Sequence, residues 1–214
     1  MAQRSYTTEA LVLSKTKLAE TDLILTLLSS DDTQIRAVAK GARKPGSKLC
    51  GISEPFTALK GKFSVGKNLD ILTEASCLDS YAAIRASYEH TMAGSIALEL
   101  AAQVTNDGDD IARLYAMTRT YLDVLSKAAE EELPILVTAY LLKILAMIGY
   151  SPEYELCSRN PRLAQLFRST FASLGEAEPT PPKQALSDLR TVMNYTEKHV
   201  PAKLKTLSYY RKSL

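Results

Sequence analysis

The 214-residue sequence is poor in cysteine and contains no tryptophan. Its three cysteines, Cys50, Cys77 and Cys157, stand far apart and form no CxxC pair, which argues against a disulfide framework and a paired-cysteine zinc loop. The N-terminus has no apolar stretch of about 7 to 15 residues, so no secretory signal is predicted. The most hydrophobic window, 133–150, is shorter than the roughly 20 apolar residues of a bilayer span. These absences predict a cytoplasmic protein without a membrane span.

The composition is otherwise that of an ordinary globular protein. Hydrophobic residues make up 46% of the chain and charged residues 23%, which excludes extended disorder and collagen-like repeats. Lys and Arg number 26 against 24 Asp and Glu, for a net charge of +2. Only a local concentration of positive charge would therefore indicate an anionic partner. The length allows one or two domains, since domains commonly hold about 100 to 150 residues.

The first 79 residues carry the alternating pattern of β-strands. Five short segments are rich in residues that suit a pleated surface, and turns rich in Gly, Pro, Ser and Asp separate them. The candidate strands are 8–15, 22–29, 34–40, 56–63 and 68–75. Five strands in so short a stretch predict a small closed barrel, with an OB fold as the first interpretation and an SH3-like barrel as the second.

From residue 80 onward the apolar residues recur at helical spacing. The acidic residues 130–132, followed by Pro134, predict the start of a helix, because acids favour the positive helix end and proline fits the first turn. The sequence from there to Gly149 has hardly any polar face, which predicts a helix buried among the others. The predicted fold class is therefore α+β, with a five-stranded barrel domain at 1–79 and an all-α domain at 80–214.

Positive charge is concentrated in the barrel region. Between residues 36 and 67 there are eight cations and one acid, Glu54, which leaves a net charge of +7. Runs of charge often mark only a solvated surface, but Gly41, Pro45 and Gly46 place several of these cations in or beside a loop between strands. Strand faces and loops of OB folds bind oligonucleotides by phosphate contacts and base stacking. The candidate nucleic-acid-binding residues are Arg36, Lys40, Arg43, Lys44, Lys48, Lys60, Lys62 and Lys67.

Other motifs give no support for catalysis. Residues 61–68 approach a phosphate-binding P-loop, but Asn68 replaces the Ser or Thr that would hold magnesium, and a strand-like segment follows where a helix is needed. The two histidines, His90 and His199, belong to no metal-binding or nucleophile pattern. No enzyme activity, metal or cofactor is therefore predicted. The candidate stacking residues are Tyr6, Phe56 and Phe63, although aromatics in a small barrel are more often core residues.

Several segments of the barrel region form a series. They are TEALVL (8–13), ETDLILTLL (20–28), IRAVAKGARKPGS (35–47), EPF (54–56) and GKNLD (66–70). In order and spacing the series resembles the N-terminal domain of the bacterial RecO recombination mediator proteins, and KLKTLS (203–208) is similar to the family's ending. The resemblance implies an OB fold joined to a helical domain.

The resemblance also implies a function and partners. RecO proteins bind single- and double-stranded DNA, anneal complementary strands and, with RecR, help RecA displace single-stranded DNA-binding protein. We therefore expect a non-enzymatic mediator of DNA repair and recombination, cytoplasmic and associated with the nucleoid. The residues that match the family's basic strand-and-loop motif are Arg36, Lys40, Arg43, Lys44 and Lys48, whereas Lys60, Lys62 and Lys67 are assigned on charge alone.

The helical domain lacks the zinc cysteines of many relatives, and the residues of its peptide-binding groove cannot be assigned from the sequence. Many relatives hold zinc there with four cysteines, and here Cys157 alone stands near the expected place, so no zinc is predicted. The family's helical domain docks the acidic, hydrophobic-ended tail of single-stranded DNA-binding protein, which needs an apolar groove edged by cations. The candidate edges are Arg113, Arg119, Lys203, Lys205, Arg211 and Lys212. The alternative function is a protein-interaction adaptor, or an RNA-binding OB-fold protein, without annealing activity.

Overall fold

The computed structural model describes residues 4–31, 34–105, 111–174, 180–200 and 204–213. In these ranges five strands come first and, apart from one short helix between β3 and β4, the helices follow. The strands are β1 (Ser5–Lys17), β2 (Leu23–Ser29), β3 (Gln34–Ala39), β4 (Ala58–Ser64) and β5 (Asp70–Asp79). The helices are α1 (Lys48–Ile52), α2 (Ala82–Ala86), α3 (Tyr88–Val104), α4 (Ile111–Leu125), α5 (Leu133–Met147), α6 (Pro161–Arg168), α7 (Phe171–Leu174), α8 (Pro182–His199) and α9 (Lys205–Ser213). The predicted α+β class is confirmed.

The chain divides into two compact units. The first contains Met1–Tyr81 and Ala101–Arg119, and the second contains Ala82–Leu100 and Thr120–Leu214. Helices α3 and α4 therefore each contribute residues to both units.

The strands close into a barrel in the order β1-β2-β3-β5-β4. The long strand β1 pairs antiparallel with both β2 and β4, which a strand of 13 residues can do along its two halves. Strands β3 and β5 pair in parallel over two residue pairs, Ala37 with Asp70 and Val38 with Ile71. Closure removes exposed sheet edges from a domain too small to cover them otherwise. The predicted five-stranded OB-type barrel is confirmed.

The barrel core follows the two-residue period of the strands. Along β4, Leu59, Gly61 and Phe63 are buried while Lys60 and Lys62 between them are exposed. A Cβ on Gly61 would meet the Phe63 ring at 2.8 Å, so the glycine makes room for the ring inside the barrel. The strand residues buried in this core are Ala10, Val12, Leu23, Leu25, Leu27, Ile35, Ala37, Ala39, Leu59, Phe63 and Leu72.

Helix α5 is the centre of the second unit, as its lack of a polar face predicts. Pro134 lies in its first turn, and Gly149, with φ of +89°, lies just beyond its end. The Tyr140 ring packs against the Tyr121 ring with centroids 4.7 Å apart, and both rings are fully buried. Lys143, in the last turns, donates from Nζ to the Phe167 carbonyl at 2.6 Å, and burial lowers the pKa of its ammonium group.

The sequence pattern did not predict the short helical elements, and three of them show why. Helix α1 begins after Ser47, whose hydroxyl accepts a hydrogen bond from the Leu49 N–H at 3.3 Å. A π-helical turn occupies Glu153–Cys157. Helix α6 begins after Asn160, whose side-chain oxygen accepts from the Arg162 N–H at 3.1 Å. All three are too short for hydrophobic periodicity to show, and only the capping residues signal two of them.

Candidate nucleic-acid interface

The loop that follows β3 carries four of the eight predicted DNA-binding cations. We call residues 40–48 the basic loop. Its glycines Gly41 and Gly46 have φ of +66° and +74°, a region that glycine enters without strain. The loop turns tightly, since the Lys44 N–H donates to the Gly41 carbonyl at 3.0 Å. Its cations Lys40, Arg43, Lys44 and Lys48 are all exposed to solvent.

The basic loop is fastened to the turn between β1 and β2. The Gly41 N–H donates to the Asp22 carboxylate at 2.8 Å, and the Arg43 N–H donates to the Thr21 carbonyl at 2.9 Å. The pKa of the Asp22 carboxyl is lowered, mainly by the Gly41 hydrogen bond, then by the Thr21 hydroxyl and by the charges of Lys40 and Lys44. A charged acceptor strengthens the hydrogen bond, so the cations stand on a fixed support.

The Arg43 side chain is also held at one end. Its Nη1 donates to the Ala19 carbonyl at 2.9 Å, in the same β1–β2 turn. A guanidinium has five N–H donors, so one bond to a carbonyl leaves donors for a phosphate. This contact fixes the direction of the side chain and limits the entropy lost on binding an anion.

Arg36 and Lys67 come together at a groove beside the first residues of β3, at the opposite end of that strand from the basic loop. Arg36 lies on β3, opposite Thr26 of β2, and Lys67 lies in the turn between β4 and β5. Both side chains are exposed, and both line a groove of about 630 Å³ that also contains Tyr6 and Asp70. Distant parts of the sequence thus place two predicted binding residues at one site.

The two lysines of β4 have a different setting. Lys60 lies opposite Glu9 of β1 and Ser76 of β5, and Lys62 lies opposite Glu74 of β5. The Lys62 Nζ is 3.5 Å from a Glu74 carboxylate oxygen. Facing acids reduce the positive potential that a phosphate would meet. The structure therefore separates the eight predicted residues into a group around β3 and a partly neutralised pair on β4.

The three candidate stacking residues differ in access. Phe56 and Phe63 have exposed fractions of 3% and 0%, so they are core residues. Tyr6 is partly exposed and lines the groove. Its ring stacks on Phe63 with centroids 5.3 Å apart and planes at 19°, and its hydroxyl donates to Asp70 at 2.5 Å. Among the three, Tyr6 is the aromatic that a base can reach.

A second groove lies within the second unit, between α3 and α9. It has a volume of about 420 Å³ and is lined by Tyr88, Met92, Ser95, Thr206, Tyr209 and Lys212. Tyr88 and Tyr209 are 64% and 63% exposed, and the Lys212 Nζ lies 5.8 Å from the Tyr209 ring centroid. This arrangement gives an apolar floor with a cation at its edge, the combination that suits an acidic peptide with an apolar end.

The six cations that were predicted to edge a peptide-binding groove lie in different places. Lys212 lines the groove between α3 and α9, whereas Arg211 pairs with Glu197 at 2.9 Å. Arg119 belongs to the first unit, where it donates to the hydroxyls of Tyr81 and Tyr115 at 2.9 and 3.0 Å. Arg113 and Lys205 are exposed and do not line this groove. Lys203 lies outside the described residues.

The sequence did not reveal the two acids that hold the basic loop and Tyr6 in place. Asp22 and Asp70 are isolated acids in the sequence. The position of Asp22 at the start of a candidate strand, next to a turn, is the one sequence signal that its side chain accepts a backbone hydrogen bond.

In the described ranges no group of three or more His, Cys, Asp or Glu side chains is arranged to hold a metal ion. None of the helices described is long and apolar enough to cross a membrane.

Comparison with known proteins adds independent findings. A family model described as "Recombination protein O N terminal" matches residues 1–81, and one described as "Recombination protein O C terminal" matches residues 85–188. The chain is 32% identical over 196 residues to the DNA repair protein RecO of Nocardioides sp. (strain ATCC BAA-499 / JS614). That alignment covers 85% of this chain and 80% of the relative.

Proposed function

The chain belongs to the RecO family, and from this membership and its basic loop we propose that it is a non-enzymatic DNA-annealing and recombination mediator protein. In this role it binds single- and double-stranded DNA, anneals complementary strands and, with RecR, loads RecA onto DNA coated by single-stranded DNA-binding protein. It acts in the cytoplasm at the nucleoid. The main structural support for the proposal is the exposed basic loop, which the hydrogen bond from the Gly41 N–H to Asp22 holds in place.

The basic loop supports annealing by a simple electrostatic route. Two single strands repel each other through their phosphates, and cations held between them reduce that repulsion without reading sequence. The residues that carry out this step are Arg36, Lys40, Arg43, Lys44 and Lys48. No covalent bond is made or broken in the process, so the proposal requires neither a nucleotide nor a metal. In this proposal residues 1–79 hold DNA and residues 80–214 hold the protein partners.

The test is annealing of two complementary fluorescent oligonucleotides without nucleotide or metal, at low and physiological salt. We expect acceleration over the spontaneous rate that fades as salt rises, because the release of each counterion into a more concentrated salt solution gains less entropy. The triple variant Arg43→Ala, Lys44→Ala, Lys48→Ala should lose most of the acceleration. Its matched control is Lys127→Ala, Lys183→Ala, Lys198→Ala, which removes three exposed lysines of the second unit and should anneal as the wild type does.

Absence of acceleration by the wild-type protein would overturn the annealing function. Equal loss in the triple variant and its control would show that net charge, rather than the basic loop, drives the reaction. A protein that binds RNA tightly but does not anneal DNA would favour the alternative of an RNA-binding or adaptor protein.

The groove between α3 and α9 supports a docking role for the C-terminal tail of single-stranded DNA-binding protein. The test is binding of the tail peptide to the full chain by fluorescence anisotropy. Lys212→Ala removes the edge cation and should weaken binding and its salt dependence, whereas Lys183→Ala on α8 should not. Unchanged affinity in Lys212→Ala would place the tail elsewhere or on no part of this chain.

A further inference from the structure

The groove that contains Arg36 and Lys67 has a feature that phosphate binding does not explain. Its charged lining residues are two cations, Arg36 and Lys67, and two acids, Asp31 and Asp70. Together these four side chains carry no net charge, so a run of phosphates gains little inside the groove, whereas Arg36 and Lys67 can each contact one phosphate at its rim. A volume of about 630 Å³ lies in the range of about 300–1,000 Å³ typical of small-ligand pockets.

The groove exists because β3 and β5 pair along only part of their length. The recorded pairs begin at Ala37 and Asp70, so the first residues of β3, 34–36, run without a β5 partner on that side. The turn between β4 and β5 bends around the opening. A Cβ on Gly66 would meet the Leu69 carbonyl oxygen at 1.9 Å, which shows how tightly this turn is wound.

Tyr6 provides a fixed aromatic surface in the groove. Its hydroxyl donates to Asp70 at 2.5 Å, and the other oxygen of Asp70 accepts from the Gly66 N–H at 3.0 Å. Burial and the neighbouring Asp70 raise the pKa of the Tyr6 hydroxyl, so it stays protonated and keeps donating. Phe63 packs against the Tyr6 ring and, together with the hydrogen bond to Asp70, restricts its rotation. Binding of a base therefore costs little side-chain entropy at Tyr6.

A flat ligand with polar edges fits these walls. A nucleobase stacks on aromatic side chains and on the planar guanidinium of Arg, and its polar edge matches a mixed set of cations and acids. In a duplex the bases are stacked on one another and their edges are paired, so only an unpaired base can enter. The basic loop begins at the other end of β3, so a DNA strand that runs along β3 would place phosphates a few nucleotides away on that loop.

We propose that this groove is a nucleobase subsite, in which Tyr6 stacks with one unpaired base of single-stranded DNA. This inference rests on the proposed DNA-binding function and adds the class of ligand to it. The subsite gives the protein a preference for single strands, whereas the basic loop binds phosphates of single and double strands alike. During annealing the base must leave the groove when its complement pairs with it.

The test compares a thymine oligonucleotide with an abasic oligonucleotide of equal length, which keeps the phosphates and lacks the bases. Wild-type protein should bind the thymine strand about 5- to 100-fold more tightly, the range expected for loss of one stacked base. Tyr6→Leu should bind both strands equally, at the affinity that the wild type shows for the abasic strand. Tyr6→Phe keeps the ring and should retain the preference. Duplex affinity should be the same in all three proteins.

The outcomes separate this inference from the function on which it rests. Equal wild-type affinity for thymine and abasic strands would overturn the subsite while leaving phosphate-based DNA binding intact. Failure of the wild type to bind either strand would overturn both. If Tyr6→Leu does not fold, Tyr6→Thr, a residue that suits a strand, takes its place, and a preference for the thymine strand retained in either variant would overturn the assignment to Tyr6.

Discussion

The Asp22 carboxylate accepts a hydrogen bond from the Gly41 N–H at 2.8 Å and thereby joins the β1–β2 turn to the basic loop. Gly41 has φ of +66°, so its N–H points toward Asp22 in a conformation that other residues adopt with strain. The acid lies next to several cations without neutralising them in an ion pair. Its role is to set the shape of the loop on which those cations stand.

Removal of this acceptor should loosen the loop. In Asp22→Ala the Gly41 amide loses its partner, and we expect faster hydrogen exchange at Gly41 and weaker DNA binding. Asp22→Asn keeps an oxygen acceptor and serves as the matched control, with exchange close to that of the wild type. Amide exchange by NMR measures both. Equal exchange at Gly41 in the wild type and Asp22→Ala would contradict the assigned role.

The same bond predicts a dependence on pH. Because the folded pKa of Asp22 is lowered from an unfolded value of about 3.9, its contribution is present above about pH 4 and is lost as the pH falls through the folded pKa. Gly41 exchange in the wild type, corrected for its intrinsic pH dependence, should therefore accelerate in that acid range. Asp22→Asn should show no such step.

The two lysines of β4 should contribute less to DNA binding than two lysines of the basic loop. Lys40→Ala, Lys44→Ala should reduce the slope of log affinity against log salt by about 1.4, or about 0.7 for each lost contact to single-stranded DNA. Lys60→Ala, Lys62→Ala removes the same charge but also frees Glu9 and Glu74 from their facing cations. Titration of both variants with one oligonucleotide gives the comparison.

For Lys60→Ala, Lys62→Ala we expect a slope of log affinity against log salt within about 0.5 of the wild-type value, because few phosphates should contact the β4 face. A slope change as large as that of Lys40→Ala, Lys44→Ala would place DNA across β4 as well. Both variants remove two positive charges, so a difference between them reports position rather than net charge.

The sequence predicted the barrel well because alternation is a local property. Leu59 and Phe63 point inward and Lys60 and Lys62 outward, as a two-residue period requires. The setting of those lysines was not predictable, because Glu9 faces Lys60 only through the pairing of β1 with β4. Pairing register depends on the whole barrel and leaves no mark in the local pattern.

Strand ends show the same limit. The predicted first strand, 8–15, is shorter than β1 (Ser5–Lys17), and the predicted fifth, 68–75, ends before β5 (Asp70–Asp79) does. The added residues are mostly polar and exposed, so hydrophobicity does not signal them, and backbone pairing with a neighbouring strand is what extends each strand. The groove at Tyr6 depends on this kind of pairing and was likewise invisible.

Gly66 should be intolerant of a side chain. A Cβ there would meet the Leu69 carbonyl oxygen at 1.9 Å, so the turn in Gly66→Ala must open, and we expect a loss of about 1–3 kcal/mol in the free energy of unfolding. Gly51→Ala is the matched control, because a Cβ at Gly51 meets nothing within 4 Å and alanine favours helix α1 by about 0.5–1 kcal/mol. Urea denaturation measures both changes.

A stable Gly66→Ala protein would show that the turn can relax without cost. In that case its affinity for the thymine and abasic strands becomes informative, because the turn carries Lys67 and its Gly66 N–H orients Asp70. Retained stability together with a retained preference for bases would contradict the view that the tight turn shapes the groove.

Glu99 should control the α9 wall of the second groove. Its two carboxylate oxygens accept the Lys205 and Thr206 N–H groups at 2.9 and 2.8 Å, so an acid on α3 caps the N-terminus of α9. Such caps contribute about 1 kcal/mol through the unpaired N–H groups and the helix dipole. We expect Glu99→Ala to fray the first turn of α9, with faster amide exchange at Thr206.

The same variant should weaken binding of the tail peptide, because Thr206, Tyr209 and Lys212 of α9 all line the groove. Glu20→Ala removes an exposed acid of the barrel and controls for the change in net charge, which alone would strengthen binding of an acidic peptide. Glu99→Gln keeps one acceptor oxygen and should fall between wild type and Glu99→Ala. If Glu99→Ala frays α9 while peptide affinity stays unchanged, α9 is not part of the docking site.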